Sequence, residues 1–256
     1  MTKPLISVIV PVLNGASSLV ETFESVLTQD YPHIELIVID GGSIDGTLDI
    51  IKRYSSHISY WETGRDSGVS DAFNRGIRRA TGELVAILNS DDYWEPDTFR
   101  HIEKAVSQRP DADIYYGQIR YLDPATRRTY VRSPDLSRMK QRMYLFHPSI
   151  FVRKSAYEHI GGYSEDYRFA MDSEWCHRAM SAGLKFQRIK HVLANMRLGG
   201  RSDTNFVAAL REYRRSLLQH QIVDRLEADI NFLKVLMLKI LARPYYLRLI
   251  KQAIFR

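Results

Sequence analysis

Four groups of carboxylates in the 256-residue sequence sit where short apolar runs stop. Asp40 ends one such run and opens Asp40-Gly41-Gly42-Ser43-Ile44-Asp45-Gly46-Thr47. Glycines there let the backbone approach a ligand, and a carboxylate can accept hydrogen bonds from a base or a ribose. The same stretch reads equally well as a plain turn in which Asp45 caps the next helix. Asp66 and Asp71 fall in Arg65-Asp66-Ser67-Gly68-Val69-Ser70-Asp71, a setting where acids at a helix N-terminus are ordinary. Asp91 and Asp92 follow Ala86-Ile87-Leu88-Asn89-Ser90. Adjacent carboxylates behind a buried strand repel unless a cation, a proton or donors intervene. Their oxygens suit Mg²⁺ or Mn²⁺, which in turn suit a diphosphate. Asp172 opens a helical pattern, where it is either an N-cap or a base able to take a proton from a sugar hydroxyl.

Two other reactive residue types read more blandly. His147 lies among apolar residues in Leu145-Phe146-His147-Pro148-Ser149 and by itself suggests a hydrogen-bonded core histidine. Cys176 is the single cysteine, so neither a disulfide framework nor a multi-thiolate zinc site is available, and a buried inert thiol is expected.

The acids need strands to carry them. Residues 6–12, 35–40, 59–62 and 84–88 read as strands or extended segments, alternating with helical patterns over 17–28, 47–54, 69–80 and 96–107. This alternation predicts an α/β fold, a mostly parallel sheet covered on both faces, with ligands beyond the carboxyl ends of the strands. Residues 113–130 look irregular and Tyr-rich, suggesting short strands and loops, 144–152 suggest one strand, and 155–160 and 172–182 suggest helices. An extended stretch follows over 186–196, then one helix over 204–228.

Charge is unevenly placed. Lys and Arg number 36 against 30 acids, and the whole excess lies after Asp229, in Lys234, Lys239, Arg243, Arg248, Lys251 and Arg256. A neutral body with a basic end argues against a nucleic-acid-binding protein. The tail predicts two helices parted at Pro244, the second (residues 245–256) amphipathic and suited to an anionic membrane surface. The alternative is packing against the body or another subunit, which leaves room for an oligomer. No spanning helix and no cleavable export signal are read, which points to the cytosol.

Taken together, the motifs resemble family 2 glycosyltransferases of the GT-A fold, over roughly residues 5–203. In order they are Val10-Pro11-Val12-Leu13-Asn14, Val38-Ile39-Asp40-Gly41-Gly42-Ser43, Asp66-Ser67-Gly68 with Asp71-Ala72-Phe73-Asn74-Arg75-Gly76, and Asn89-Ser90-Asp91-Asp92. His147-Pro148-Ser149, Gly161-Gly162-Tyr163 and Asp172 complete the series. The closest branch is the one that builds O-antigen and other cell-surface glycans. The resemblance implies that Pro11, Asn14, Asp40, Asp66 and Asp71 surround the nucleotide of a nucleotide-diphosphate sugar, a UDP-sugar being favoured. It implies that Asp91 and Asp92 form the metal-binding pair for Mn²⁺ or Mg²⁺, with Asp92 the stronger ligand. Asp172 would be the general base of an inverting transfer, and His147 would border the acceptor.

Two departures accompany the match. Met171 stands where many relatives carry an acid, and Met196-Arg197-Leu198-Gly199-Gly200-Arg201 stands where many place a metal-binding histidine. That loop, with Arg201, suits a diphosphate instead. The resulting expectation is a catalytic domain over 1–205 and a helical extension over 206–256. It predicts a cytoplasmic enzyme peripheral to the inner face of the membrane, acting on a glycan or lipid-linked acceptor. The rival reading is a catalytically inactive scaffolding subunit of a glycan-assembly complex.

Overall fold

The computed structural model describes residues 3–123, 126–197 and 205–241. Arg201 with its glycine loop and the amphipathic segment 245–256 fall outside the described residues. The chain begins β1 (Ile6–Val12), α1 (Leu19–Leu27), β2 (Ile34–Asp40), α2 (Thr47–Arg53), β3 (Tyr60–Thr63), α3 (Val69–Arg79) and β4 (Leu84–Ile87). It continues through β5 (Tyr93–Trp94), α4 (Thr98–Gln108), β6 (Ile114–Leu122), β7 (Thr129–Arg132), β8 (Ile150–Arg153) and α5 (Lys154–Ile160). Last come α6 (Met171–Ser181), β9 (Phe186–Arg197), α7 (Phe206–Gln219) and α8 (Arg225–Leu241).

The strands form one mixed sheet in the order β3-β2-β1-β4-β8-β6-β9-β5, with β7 on β6. β1, β2, β3 and β4 are parallel, as are β6 and β9, while β8 runs antiparallel between β4 and β6. Strands covered on both faces need near-continuous apolar runs, and β1 (ISVIVPV) and β4 (LVAI) supply them. Ile6, Val8 and Val10 join Leu19, Phe23 and Phe99 in one layer, and Ile9 joins Ala72, Phe73 and Trp175 in the other. Ser7, the polar residue of β1, is fully buried; it donates to Glu35 at 2.5 Å and accepts from the Gly82 N–H at 2.8 Å.

Three segments differ from the sequence reading, each for a local reason. Residues 114–122 form one nine-residue strand where short strands and loops are expected, paired with β7, β8 and β9. Its register against β9 shifts around Gly117 and Gln118, which breaks the two-residue alternation that would have announced it. Residues 144–152 are not one strand: a 3₁₀ turn over His147–Ser149 precedes β8, because Pro148 lacks an N–H for a sheet ladder. The single helix expected over 204–228 is two helices. The chain turns at Gln221, whose φ is 55°, and Asp224 restarts it by accepting from the Glu227 N–H at 2.8 Å.

α8 therefore begins before Asp229, so the boundary between neutral body and basic tail falls inside a helix. Asp229 pairs with Arg214 of α7, Glu227 pairs with Lys140 at 3.1 Å, and Asn231 donates to the Lys140 carbonyl at 3.0 Å. No helix among the described residues is long and apolar enough to cross a membrane.

The approach of α3 to the sheet depends on Gly76. A Cβ there would lie 2.3 Å from Ile9 Cγ2, so any side chain must push the helix off β1. Gly76→Ala should lower stability by about 1–3 kcal/mol, despite alanine's better helix propensity. Urea denaturation reads this directly; an unchanged or raised midpoint would contradict the packing argument.

Candidate active site

The loops after β1, β2, β3 and β4 meet at the carboxyl edge of the sheet. After β1, Asn14 adopts a left-handed φ of 54°. Its backbone N–H donates to Ser43 Oγ at 2.7 Å, and its side-chain oxygen accepts from the Ile44 N–H at 2.9 Å. Asp45 and Thr47 accept from the N–H groups of Ala16 and Gly15, at 3.1 and 2.9 Å. The first two loops are thus held as one surface, with Pro11 half-buried beside the exposed Leu13 and Asn14.

Asp40 is fully buried and internally satisfied. It accepts from the N–H groups of Gly42 (3.1 Å) and Ser43 (3.0 Å), from the Ser43 hydroxyl, and from Thr63 Oγ1 (2.5 Å). In this conformation its carboxylate sets the glycine turn and meets no solvent. Gly41 lies against Asp66: a Cβ on Gly41 would sit 2.5 Å from Asp66 Oδ2. Asp66 is half-buried and closes a turn by accepting from the Gly68 N–H at 3.1 Å. Asp71, in the first turn of α3, accepts from the Ser67 N–H at 3.3 Å and faces Arg75 at 4.0 Å. Pro11 and Asp40 near the ends of β1 and β2, Asn14 and Asp66 in the loops after β1 and β3, and Asp71 in the first turn of α3 thus lie at one edge of the sheet.

The carboxylate pair after β4 is asymmetric. Asp91 is exposed, whereas Asp92 is 2% exposed and, among the described residues, held by two long contacts, from Asn89 Nδ2 and the Arg197 N–H, each at 3.3 Å. Burial, and then the charge of Asp91, push the Asp92 carboxyl up to about 8. A buried carboxylate so poorly served by donors suits a hard divalent cation. Mg²⁺ and Mn²⁺ commonly take one or two carboxylates and complete their shell with phosphate oxygens and water. The described residues contain no cluster of three or more His, Cys, Asp or Glu placed to hold a metal.

Arg197, at the end of β9, joins this pair to the rest of the site. Its N–H reaches Asp92, and its guanidinium binds the Asp91 carbonyl and pairs with Glu21 of α1. It also lines a cavity of about 700 Å³ that Asp172 borders. Asp172 is half-buried in the first turn of α6 and accepts from the Ser173 N–H at 2.7 Å. Burial raises its carboxyl above the ordinary range, against the lowering effect of the Ser173 hydrogen bonds.

The segment before Asp172 is fixed by a residue that sequence reasoning missed. Glu212 of α7 accepts from three successive backbone N–H groups, those of Arg168 (3.1 Å), Phe169 (2.7 Å) and Ala170 (2.9 Å). Below it, the buried Glu174 binds Arg178 at 2.9 Å and His220 at 2.9 Å, and Arg178 donates to the carbonyls of Ile160 and Gly162. No local pattern could have linked residue 212 to residues 168–170, because the contact exists only once α7 folds back on α6.

His147 is packed rather than presented. It stacks on Phe73 with ring centroids 5.0 Å apart, its Nε2 meets Tyr163 OH at 3.2 Å, and it does not line the cavity. Burial lowers its pKa to about 4, so the ring is neutral, and its Nδ1 is buried without a partner among the described residues. Cys176 is buried, and burial holds its thiol well above the usual range.

Two outcomes follow for stability. Between the ordinary carboxyl value of 3.8 and about 8, folded Asp92 keeps a proton that the unfolded chain has lost, so this residue lowers stability as pH rises through that window. In metal-free buffer, Asp92→Asn should raise stability by at least about 1 kcal/mol at pH 8 and by far less at pH 4. A gain that does not grow with pH in urea titrations would reject the burial argument. Glu212→Ala leaves three N–H groups without their acceptor and should cost about 1–3 kcal/mol in the same assay.

The chain can now be set beside known proteins. The model of the glycosyl transferase family 2 matches residues 7–165, which covers the sheet edge through Asp92 and His147 but stops short of Asp172. A PGL/p-HBAD biosynthesis glycosyltransferase of Mycobacterium bovis (strain BCG / Pasteur 1173P2) is 31% identical over 210 residues, 80% of this chain and 81% of that protein. Among solved structures, S. aureus TarS 1-349 in complex with UDP superposes with a TM-score of 0.67 at 20% identity, over 91% of this chain and 70% of that one. The mannosyltransferase PcManGT from Pyrobaculum calidifontis, in complex with GDP-Man and Mn2+, gives 0.67 at 21% identity, over 88% and 66%. The fold is thus the GT-A type, and the chain belongs to glycosyltransferase family 2.

Proposed function

We propose that this glycosyltransferase transfers a sugar, with inversion, from a nucleotide-diphosphate donor to a hydroxyl of a glycan or lipid-linked acceptor. The observation that carries this reading is that Asp172 and Arg197 border one cavity, while Arg197 also binds the Asp91-Asp92 loop. Arg197 thereby links the loop that carries Asp91 and Asp92 to the cavity that Asp172 borders. A UDP-sugar is the favoured donor, in keeping with the UDP held by the TarS relative.

The residues divide the work as follows. Pro11, Asn14, Asp66 and Asp71 border the nucleotide, and Asp40 acts through the turn it holds. Asp91 and Asp92 would hold Mn²⁺ or Mg²⁺, an ion that neutralises charge on a diphosphate leaving group when bound. Arg201 is assigned to the same diphosphate by its planar guanidinium. Asp172 accepts the proton of the acceptor hydroxyl while that oxygen bonds to the anomeric carbon. The bond from this carbon to the diphosphate oxygen breaks, its electron pair departs with the nucleoside diphosphate, and attack from the opposite face inverts configuration. Most of the acceleration comes from positioning and from charge stabilisation in a water-poor site. The raised Asp172 carboxyl makes it a stronger base than an exposed aspartate. His147, neutral and walled in by Phe73 and Tyr163, supports the acceptor side from behind.

We place residues 1–205 in the catalytic domain and residues 206–256 in an extension that completes the site and docks on the membrane's inner face. Supporting this, Leu226, Ile230, Leu233, Met237 and Leu241 share one side of α8 and are between 38% and 70% exposed. Their four- and three-residue spacing makes a single apolar stripe, and the six basic residues after Asp229 suit an anionic leaflet.

Asp172→Asn should lose transfer by about 10²–10⁴-fold while leaving donor affinity unchanged, measured by nucleoside diphosphate release across a donor panel. Normal turnover in that variant would remove Asp172 from the mechanism. Chelation of divalent ions should stop release from every donor, with recovery on adding Mn²⁺. For the membrane, flotation with anionic vesicles should be lost in Ile230→Asp combined with Met237→Asp. Equal flotation of that variant and the parent protein would reject the docking face.

A further inference from the structure

Asn74 stands in the middle of α3, where asparagine is a poor helix former. Its amide turns away from the helix and clasps one residue of a distant segment. Oδ1 accepts from the Tyr163 N–H at 2.7 Å, and Nδ2 donates to the Tyr163 carbonyl at 2.8 Å. A planar amide that accepts and donates at once pairs with that backbone as a neighbouring strand would. The approach is close enough to dictate the residue before it. A Cβ on Gly162 would lie 2.2 Å from Asn74 Oδ1, although Gly162, unlike Gly161, is not left-handed and needs no glycine for its own backbone. Two segments far apart in the sequence, Asp71–Gly76 and Gly161–Tyr163, are thus two halves of one contact.

The clasped segment leads to Asp172 by three routes. Arg178 of α6 donates to the Gly162 carbonyl at 2.6 Å and also to that of Ile160. The Tyr163 ring contacts Phe73 of α3 and Trp175 of α6, with centroids 5.1 and 5.9 Å away. The chain itself runs on from Tyr163 to the three N–H groups that Glu212 holds, and then into the first turn of α6. The opposite end of the contact belongs to the edge proposed for the donor. Asp71 lies one turn before Asn74 on α3, and Ser67, in the loop ahead of that helix, donates to Glu165 at 2.9 Å. The Asn74 amide is committed to Tyr163 at both its oxygen and its nitrogen, so it acts on a reaction through what it holds.

We infer that Asn74 is a positioning residue for Asp172: its clasp on Tyr163 locks the segment 161–170, and with it the first turn of α6, to the helix that borders the donor. The inference rests on Asp172 being the base of the proposed reaction. A misplacement of about 1 Å between reacting groups can cost about 10²-fold in rate, so a loosened clasp is felt in turnover before it is felt in donor affinity.

Nucleoside diphosphate release with water as the acceptor tests this without an identified glycan. It is measured on the full-length protein at saturating donor, using the donor that the parent protein turns over fastest, and followed to a single turnover. Asn74→Ser, too short to reach Tyr163, should lower kcat about 10–10²-fold while leaving the Kd for UDP with Mn²⁺ unchanged. Gly162→Ala, which keeps Asn74 and fills the clasp from the other side, should reproduce this split, and it carries the comparison if Asn74→Ser does not fold. In an Asp172→Asn background neither substitution should lower the residual rate further, because the clasp acts through Asp172. A clasp with a merely structural role would lower the rate by the same factor in both backgrounds, and that result would overturn the inference. Full kcat in either folded variant would overturn it too. UDP affinity lost in step with kcat would make Asn74 a donor-side residue and reject its assignment to Asp172. Undiminished release by Asp172→Asn alone counts against the proposed base, whereas an impaired Asp172→Asn beside an unaffected Asn74→Ser counts against this inference alone.

Discussion

Burying carboxylates at one edge of a parallel sheet is the constraint around which the molecule is arranged. A charge withdrawn from water must find donors, a cation or a proton, and Asp40, Asp92 and Asp172 find three different answers. Asp40 receives donors from Gly42, Ser43 and Thr63 until both oxygens are engaged, and it becomes a fixture of the turn. Among the described residues, Asp92 receives two weak contacts beside a second carboxylate, an arrangement that leaves it short of positive charge. Asp172 receives Ser173 and faces a cavity, so it is neither neutralised nor well solvated. Three aspartates of one chain differ here by their surroundings alone.

The second consequence is that the catalytic side of the sheet is incomplete without the helices after it. The Glu212 carboxylate holds the three N–H groups ahead of Asp172, and His220 reaches the buried Glu174 from the end of α7. Tyr213 donates to the Met139 carbonyl, drawing the segment that carries Arg138 and Arg142 against α7. α8 then closes the cavity while leaving its far side apolar and open. Local distortion of α7 would be felt at Asp172 before it was felt in the sheet core.

Much of the front half was legible in the sequence because its signals are local. Apolar runs ending in Asp40 and in Asn89-Ser90-Asp91-Asp92 mark the buried strands and their acidic ends within a few residues of each other, and the helices fall close to their expected bounds. The full length of the strand through Tyr115 and Tyr116 was obscured by its shift in register at Gly117, which spoils the alternation. The break at Gln221 was invisible because a left-handed glutamine carries no glycine or proline to announce it. Asp40 shows the same limit at the level of the site. Its position was readable, but its complete engagement by Ser43 and Thr63 depends on β3 lying beside β2. Glu212 is the extreme case, a contact across 42 to 44 positions that only tertiary folding creates.

The central claim is a single displacement in which Asp172 deprotonates the acceptor as the diphosphate departs. Its stereochemical outcome can be read directly, by proton NMR of the anomeric signal in the product formed from a donor that the protein turns over. The account predicts a product whose anomeric configuration is opposite to that of the donor. Retention of the donor's configuration would contradict it, since a single attack from the face opposite the leaving group cannot preserve that centre.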